Sequence, residues 1–187
     1  MGVAAGVLVV AAMFAWAPPA GAVTIGSNLK PAPDQGFGYS CGITEEPCTV
    51  MQLTLPGDPY AQKSPFGGAI RKWRFRKGSG GSGEIYDVRL WVVQRDGPGL
   101  WGFVRHSQFQ TIGSDPGIYR FGAHLPVHKG DRIAMELPAG DISDISTTHQ
   151  DATEAAWFPA PGLGDSLMPD SKASGFEKNW NATIRRP

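Results

Sequence analysis

Hydrolysis of a glycosidic bond needs two carboxyl groups flanking the scissile bond, roughly 5 to 10 Å apart. Along this chain Glu136 takes the outward parity of RIAMEL, while Glu84 and Asp87 stand three apart and so take opposite faces of a strand. No E-x-D-x-x-E strand pattern occurs, no G-x-S-x-G elbow presents a serine, and no H-E-x-x-H helix offers zinc ligands. His124 and His128, with Asp131 nearby, could share one side of a strand and its turn as a surface zinc or copper site, but ordinary polar positions are the commoner meaning. Asp141, Asp144, Asp151 and Glu154 crowd one polar stretch with oxygen ligands that would suit calcium, without the order of an EF-hand loop. The sequence therefore assigns no catalytic residue, no metal ligand and no cofactor.

Binding chemistry is better represented. Trp101 and Phe103 follow a turn, and Trp157 and Phe158 open a loop, positions where rings can serve as platforms for pyranose faces. These four are the candidate binding residues, although loop aromatics more often plug the open end of a sandwich. Arg71, Lys72, Arg74, Arg76 and Lys77 fall within seven residues, a pattern that suits a polyanion and more often marks a solvated strand face. The run from Gly78 to Gly83 matches G-x-G-x-x-G, yet the strand-like EIYDVRLWVV follows it where a dinucleotide site needs a helix, so the glycines make a loop.

The elements that must position these residues are strands. From Ile118 to Leu137, Tyr119, Phe121, Ala123, Leu125 and Val127 share one parity, as do Ile133, Met135 and Leu137. With His128-Lys129-Gly130-Asp131 between them, the two arms are expected to form a hairpin whose apolar faces meet a common core, with Arg120, His124, Arg132 and Glu136 outward. Further strands are expected over VTIGSNL, TVMQLTL, 65–77, 84–93, 100–104, 109–112 and NWNATIRR, whereas 138–154 shows no strong periodicity and the W-F-P segment opens a long loop. This predicts an all-β, antiparallel β-sandwich, jelly-roll-like, of about eight or nine strands.

Lysine plus arginine equals aspartate plus glutamate at 17 each, which argues against a nucleic-acid partner. Residues 1–22 carry no charge and hold an apolar run broken by Pro18-Pro19 and closed by Ala20-Gly21-Ala22, the pattern of a cleaved signal peptide. That run is shorter than the ~20 residues a stable membrane span requires. A secreted, extracellular location follows, with residues 23–187 as one domain. In an oxidising compartment Cys41 and Cys48 are expected to form a disulfide, a local staple worth roughly 2 to 3 kcal/mol.

The succession VTIGS, a Cys…Pro-Cys-Thr loop, IRKWRFRKG, LPVHKGDRIAMEL, W-F-P and N-A-T-I resembles secreted bacterial β-sandwich proteins. The resemblance implies the fold and carries no site residue. The function expected is a secreted, non-catalytic binding or surface-interaction module for an extracellular glycan or cell-envelope component. Its alternatives are a structural envelope protein without a small ligand and a carbohydrate-active enzyme whose site forms only in three dimensions.

Overall fold

The computed structural model describes residues 21–34, 46–58, 60–79, 85–139 and 145–187. Residues 1–20 of the leader, Cys41, Gly80 to Gly83, Glu84, Asp141 and Asp144 lie outside the described residues. Among the described residues the chain is all-β, and no helix is long and apolar enough to cross a membrane. Its strands are β1 (Ala22–Gly26), β2 (Cys48–Thr54), β3 (Gly68–Lys77), β4 (Tyr86–Arg95), β5 (Trp101–His106), β6 (Gln110–Ile112), β7 (Gly117–Val127), β8 (Arg132–Leu137), β9 (Ser146–Trp157), β10 (Ser166–Leu167), β11 (Ser171–Lys178) and β12 (Trp180–Arg185).

Two antiparallel sheets form a sandwich-like domain. One has four strands in the order β1-β12-β3-β7; the other has eight, β10-β5-β4-β8-β2-β9-β11, with β6 paired to β4. The main core lies between them. Trp73, Phe75, Trp180 and Ile184 from the smaller sheet meet Val50, Val88, Leu90, Val92, Met135 and Leu137 from the larger.

The larger sheet also buries its other face. In a flat sheet β5 and β9, four places apart, would be roughly 19 Å from each other. Yet the rings of Phe103 on β5 and Trp157 on β9 are 5.0 Å apart and edge-to-face. The sheet therefore rolls, and its concave face encloses a second core of Met51, Trp91, Val93, Trp101, Phe103, Ala134, Ala155 and Trp157.

Several sequence expectations need correction. Twelve strands among the described residues replace the eight or nine, because β9, β10 and β11 are polar enough to pass for loop. Ile118 to Leu137 is no hairpin: β7 pairs with β3, whereas β8 pairs with β2 and β4. The turn at 128–131 carries the chain from one sheet to the other, so the two apolar faces oppose each other across the core. A turn signal marks reversal of the chain and cannot tell a hairpin from a crossing between sheets. Arg132 and Glu136, expected outside, are buried because the rolled sheet covers that face.

Candidate functional site

The aromatics singled out in the sequence are placed by the roll. Trp101 and Phe103 sit on β5, while Trp157 ends β9 instead of opening a loop. Phe103 and Trp157 are wholly enclosed, and Trp101 is nearly so, held between the guanidinium groups of Arg95 at 5.1 Å and Arg132 at 5.5 Å. Phe158 is half-buried against the main core. Trp91, on β4, meets Phe103 at 5.5 Å, so three rings from three strands interlock edge-to-face. These rings fill the roll, and none of the four offers an open platform.

An open site lies along the same concave face, toward the start of β4. Alternation puts Asp87, Arg89 and Trp91 on one side of β4. Across the ladder Glu136 of β8 stands directly opposite Arg89. One oxygen of the Glu136 carboxylate, Oε2, accepts from Arg89 Nε at 2.6 Å and from Trp91 Nε1 at 2.8 Å. The guanidinium is also gripped by rings, with Trp91 at 5.0 Å and Phe109 at 4.6 Å. Arg89 is therefore rigid before any ligand arrives, and its terminal nitrogens have no acceptor among the described residues.

Phe109, just before β6, is 51% exposed. With Asp87, Glu136, Leu137, Pro47 and Pro138 it lines a cleft of about 230 Å³. Thr111 donates its hydroxyl to Asp87 Oδ1 at 2.7 Å, which fixes that carboxylate on the rim. Asp87 is a diagonal cross-strand neighbour of Glu136, a relation that sets Cα atoms ~7 to 8 Å apart. On the same sheet face Thr49, paired with both Glu136 and Trp157, has its hydroxyl buried without a hydrogen-bond partner among the described residues. The arrangement can present one ring face, one carboxylate and one guanidinium edge to a small polyhydroxylated group.

Local reading passed over this site. The signal available was the D-x-R-x-W alternation of β4, which puts a carboxylate, a cation and an indole on one face; only the partner strand adds Glu136.

The remaining candidates do not converge. Exposed His124 belongs to β7, whereas His128 stands on the crossing turn, 3.0 Å from Gln94 Nε2 and 3.8 Å from Asp131. No group of three or more histidine, cysteine, aspartate or glutamate side chains suited to a metal occurs among the described residues. Of the calcium candidates within the described residues, Asp151 is exposed and Glu154 is buried in a 2.7 Å ion pair with Lys178. Lys178 Nζ also donates to Ser146 Oγ at 2.9 Å. A hydroxyl beside a lysine could be a nucleophile and its base, but Ser146 and Lys178 are sealed from solvent. Burial pulls Lys178 below the ordinary lysine range, against the opposing pull of Glu154. Cys48 is fully buried at the head of β2 and is not a free thiol.

No family model, no curated protein and no solved structure matches this chain.

Proposed function

We propose that the protein is an exported, non-catalytic binding module that takes a glycan unit in the cleft between Asp87, Phe109 and Glu136. The observation that carries this reading is the Phe109 ring, half out of the fold beside an Arg89 already fixed by Glu136 and Trp91. A sugar ring would lie on the free face of Phe109, with its hydroxyls shared between Asp87 and the Arg89 terminal nitrogens. The cleft is smaller than most ligand pockets, which run from ~300 Å³ upward, so it suits one sugar residue of a longer chain.

Export would remove residues 1–22 and join Cys41 to Cys48. The fold behind the site is an elaborated jelly roll. Leaving aside β6, β9, β10 and β11, the orders β1-β12-β3-β7 and β5-β4-β8-β2 support that connectivity, with β9 and β11 added beyond β2.

Retention of residues 23–187 on insoluble polysaccharides and cell-wall preparations tests the site. Phe109→Ala and Asp87→Asn should each reduce retention at least tenfold while leaving the unfolding midpoint within experimental scatter. Retention that survives both substitutions, or a wild type that binds none of these materials, overturns the reading and favours a structural envelope protein. Hydrolysis is the second reading, favoured by two carboxylates on one cleft. Release of reducing ends that Glu136→Gln abolishes would establish it.

A further inference from the structure

The four-stranded sheet carries Arg71, Lys72, Arg74, Arg76, Lys77, Arg120 and Arg185, and its strands hold no aspartate or glutamate at all. Seven of the chain's 17 basic residues thus lie in four strands that have none of its 17 acidic ones. Lys77 turns inward over the Tyr86 ring. Lys72, Arg74 and Arg76 alternate with the buried Trp73 and Phe75 and so share the outer face. Arg74 is paired directly with Arg120 on one side and with Asn181 on the other.

Arg74 Nε donates to Asn181, Arg76 to the carbonyls of Leu29 and Lys30, and Arg120 to the carbonyl of Ile118. None of Arg71, Lys72, Arg74, Arg76, Arg120 and Arg185 has an ion pair among the described residues. Like charges set opposite each other in a sheet are destabilising. Charges that guard against aggregation belong on edge strands; Arg120 lies on the edge strand β7, but Lys72, Arg74 and Arg76 lie on β3, which is paired on both sides by β12 and β7. The repulsion therefore has no structural return within the monomer.

We propose that the outer face of the four-stranded sheet docks an acidic polysaccharide, one bearing carboxylate or sulfate groups, as a second site distinct from the Phe109 cleft. Five of the six free cations are arginines, whose planar forks suit carboxylate and sulfate oxygens better than a lysine ammonium does. Among the described residues the large exposed apolar side chains, Ile85, Phe109, Leu163, Leu167 and Met168, all lie outside this sheet. The face therefore has no large apolar side chain to insert into a bilayer, and its exposed ring is the small imidazole of His124. Gly122, exposed and opposite Lys72, leaves a gap between the cations in which an extended chain could lie.

The test is retention of residues 23–187 on immobilised polygalacturonate and on a sulfated galactan, with neutral cellulose, anionic phospholipid vesicles and duplex DNA as comparisons. Wild type should bind both acidic polysaccharides at low salt, lose at least tenfold in affinity at physiological salt, and prefer them to DNA and vesicles. The triple variant Lys72→Gln/Arg74→Gln/Arg120→Gln should weaken binding at least tenfold with an unchanged circular dichroism spectrum. Phe109→Ala should leave it intact, which separates this face from the cleft. Absence of binding at low salt, equal or tighter retention on DNA or vesicles, or a triple variant that binds like wild type would overturn the proposal.

Discussion

On β3 of the four-stranded sheet one face meets the core and the other meets water, whereas β8, at the centre of the eight-stranded sheet, has no wet face. On β3 the division is simple: Trp73 and Phe75 are buried, and Lys72, Arg74 and Arg76 reach solvent. On β8 all six residues are buried, Arg132 and Glu136 included. A charge on the first sheet keeps its hydration, so it can be left without a partner. On the second sheet each must find a partner inside, since burying an uncompensated ion costs several kcal/mol. Glu136 is met by Arg89 and Trp91, and Arg132 reaches the carbonyls of Gln52 and Leu53. Burial, and after it the like charge of Arg95, lowers the Arg132 pKa from the ordinary arginine value.

The sharpest way to break this contrast is to strand one charge. Glu154→Ala removes the carboxylate that compensates the buried Lys178 charge and should cost about 3 to 5 kcal/mol in urea unfolding. The double substitution Glu154→Leu/Lys178→Met should restore most of that. A single substitution costing under about 1 kcal/mol would mean the pair is wetter than its geometry indicates. Trp157→Ala should open the filled interior of the roll at a comparable cost of about 3 to 5 kcal/mol.

A pH series probes a smaller effect at the same edge of the sheet. Burial raises the Glu177 pKa above the ordinary carboxylate value, although the Ser27 hydroxyl, donated to it, pulls the other way. Because the folded state holds this proton more tightly than the unfolded one, stability falls as pH rises from the ordinary carboxylate value to the raised one. Below that window both states are protonated, and above it the penalty is constant. Glu177→Gln should flatten the decline in wild-type stability that begins as pH rises above the ordinary glutamate value. An unchanged slope would assign the titration to another group.

The smallest effect belongs to the wet face. Arg120→Gln removes a like-charge neighbour of Arg74 and should raise stability by no more than about 0.5 kcal/mol, with the gain shrinking in salt. A loss larger than that would show the outer face to be structural.

The same contrast explains what local sequence could convey. Alternation in β3 and β7 reports one wet and one dry face directly, so their inward and outward residues are legible. In β8 it misleads, because the cover over Arg132 and Glu136 comes from Trp101 of β5 and from Arg89 and Trp91 of β4, all distant in the chain. β9 is harder still: Ser146, Thr147 and Glu154 are buried and polar, and the partners that make this tolerable, such as Lys178, belong to β11. The cleft shares that problem. Asp87, Arg89 and Trp91 can be aligned from one strand, but Phe109 and Glu136 join them only through pairing of β6 and β8 with β4.

The place of β12 governs when this protein can fold. It lies between β1 and β3, and Ala22 of β1 is in register with Arg185. The smaller sheet cannot close until residues 180–185 are available, so a chain emerging N-terminus first must hold Trp73, Phe75 and Phe121 uncovered until its last strand arrives. Folding is then a late, non-local event, slow by the measure of contact order and exposed to aggregation in the interval. The seam between β1 and β12 also brings residues 23 and 184 side by side, so a short linker could join the two strands and new ends could be opened at the exposed turn around Gly130.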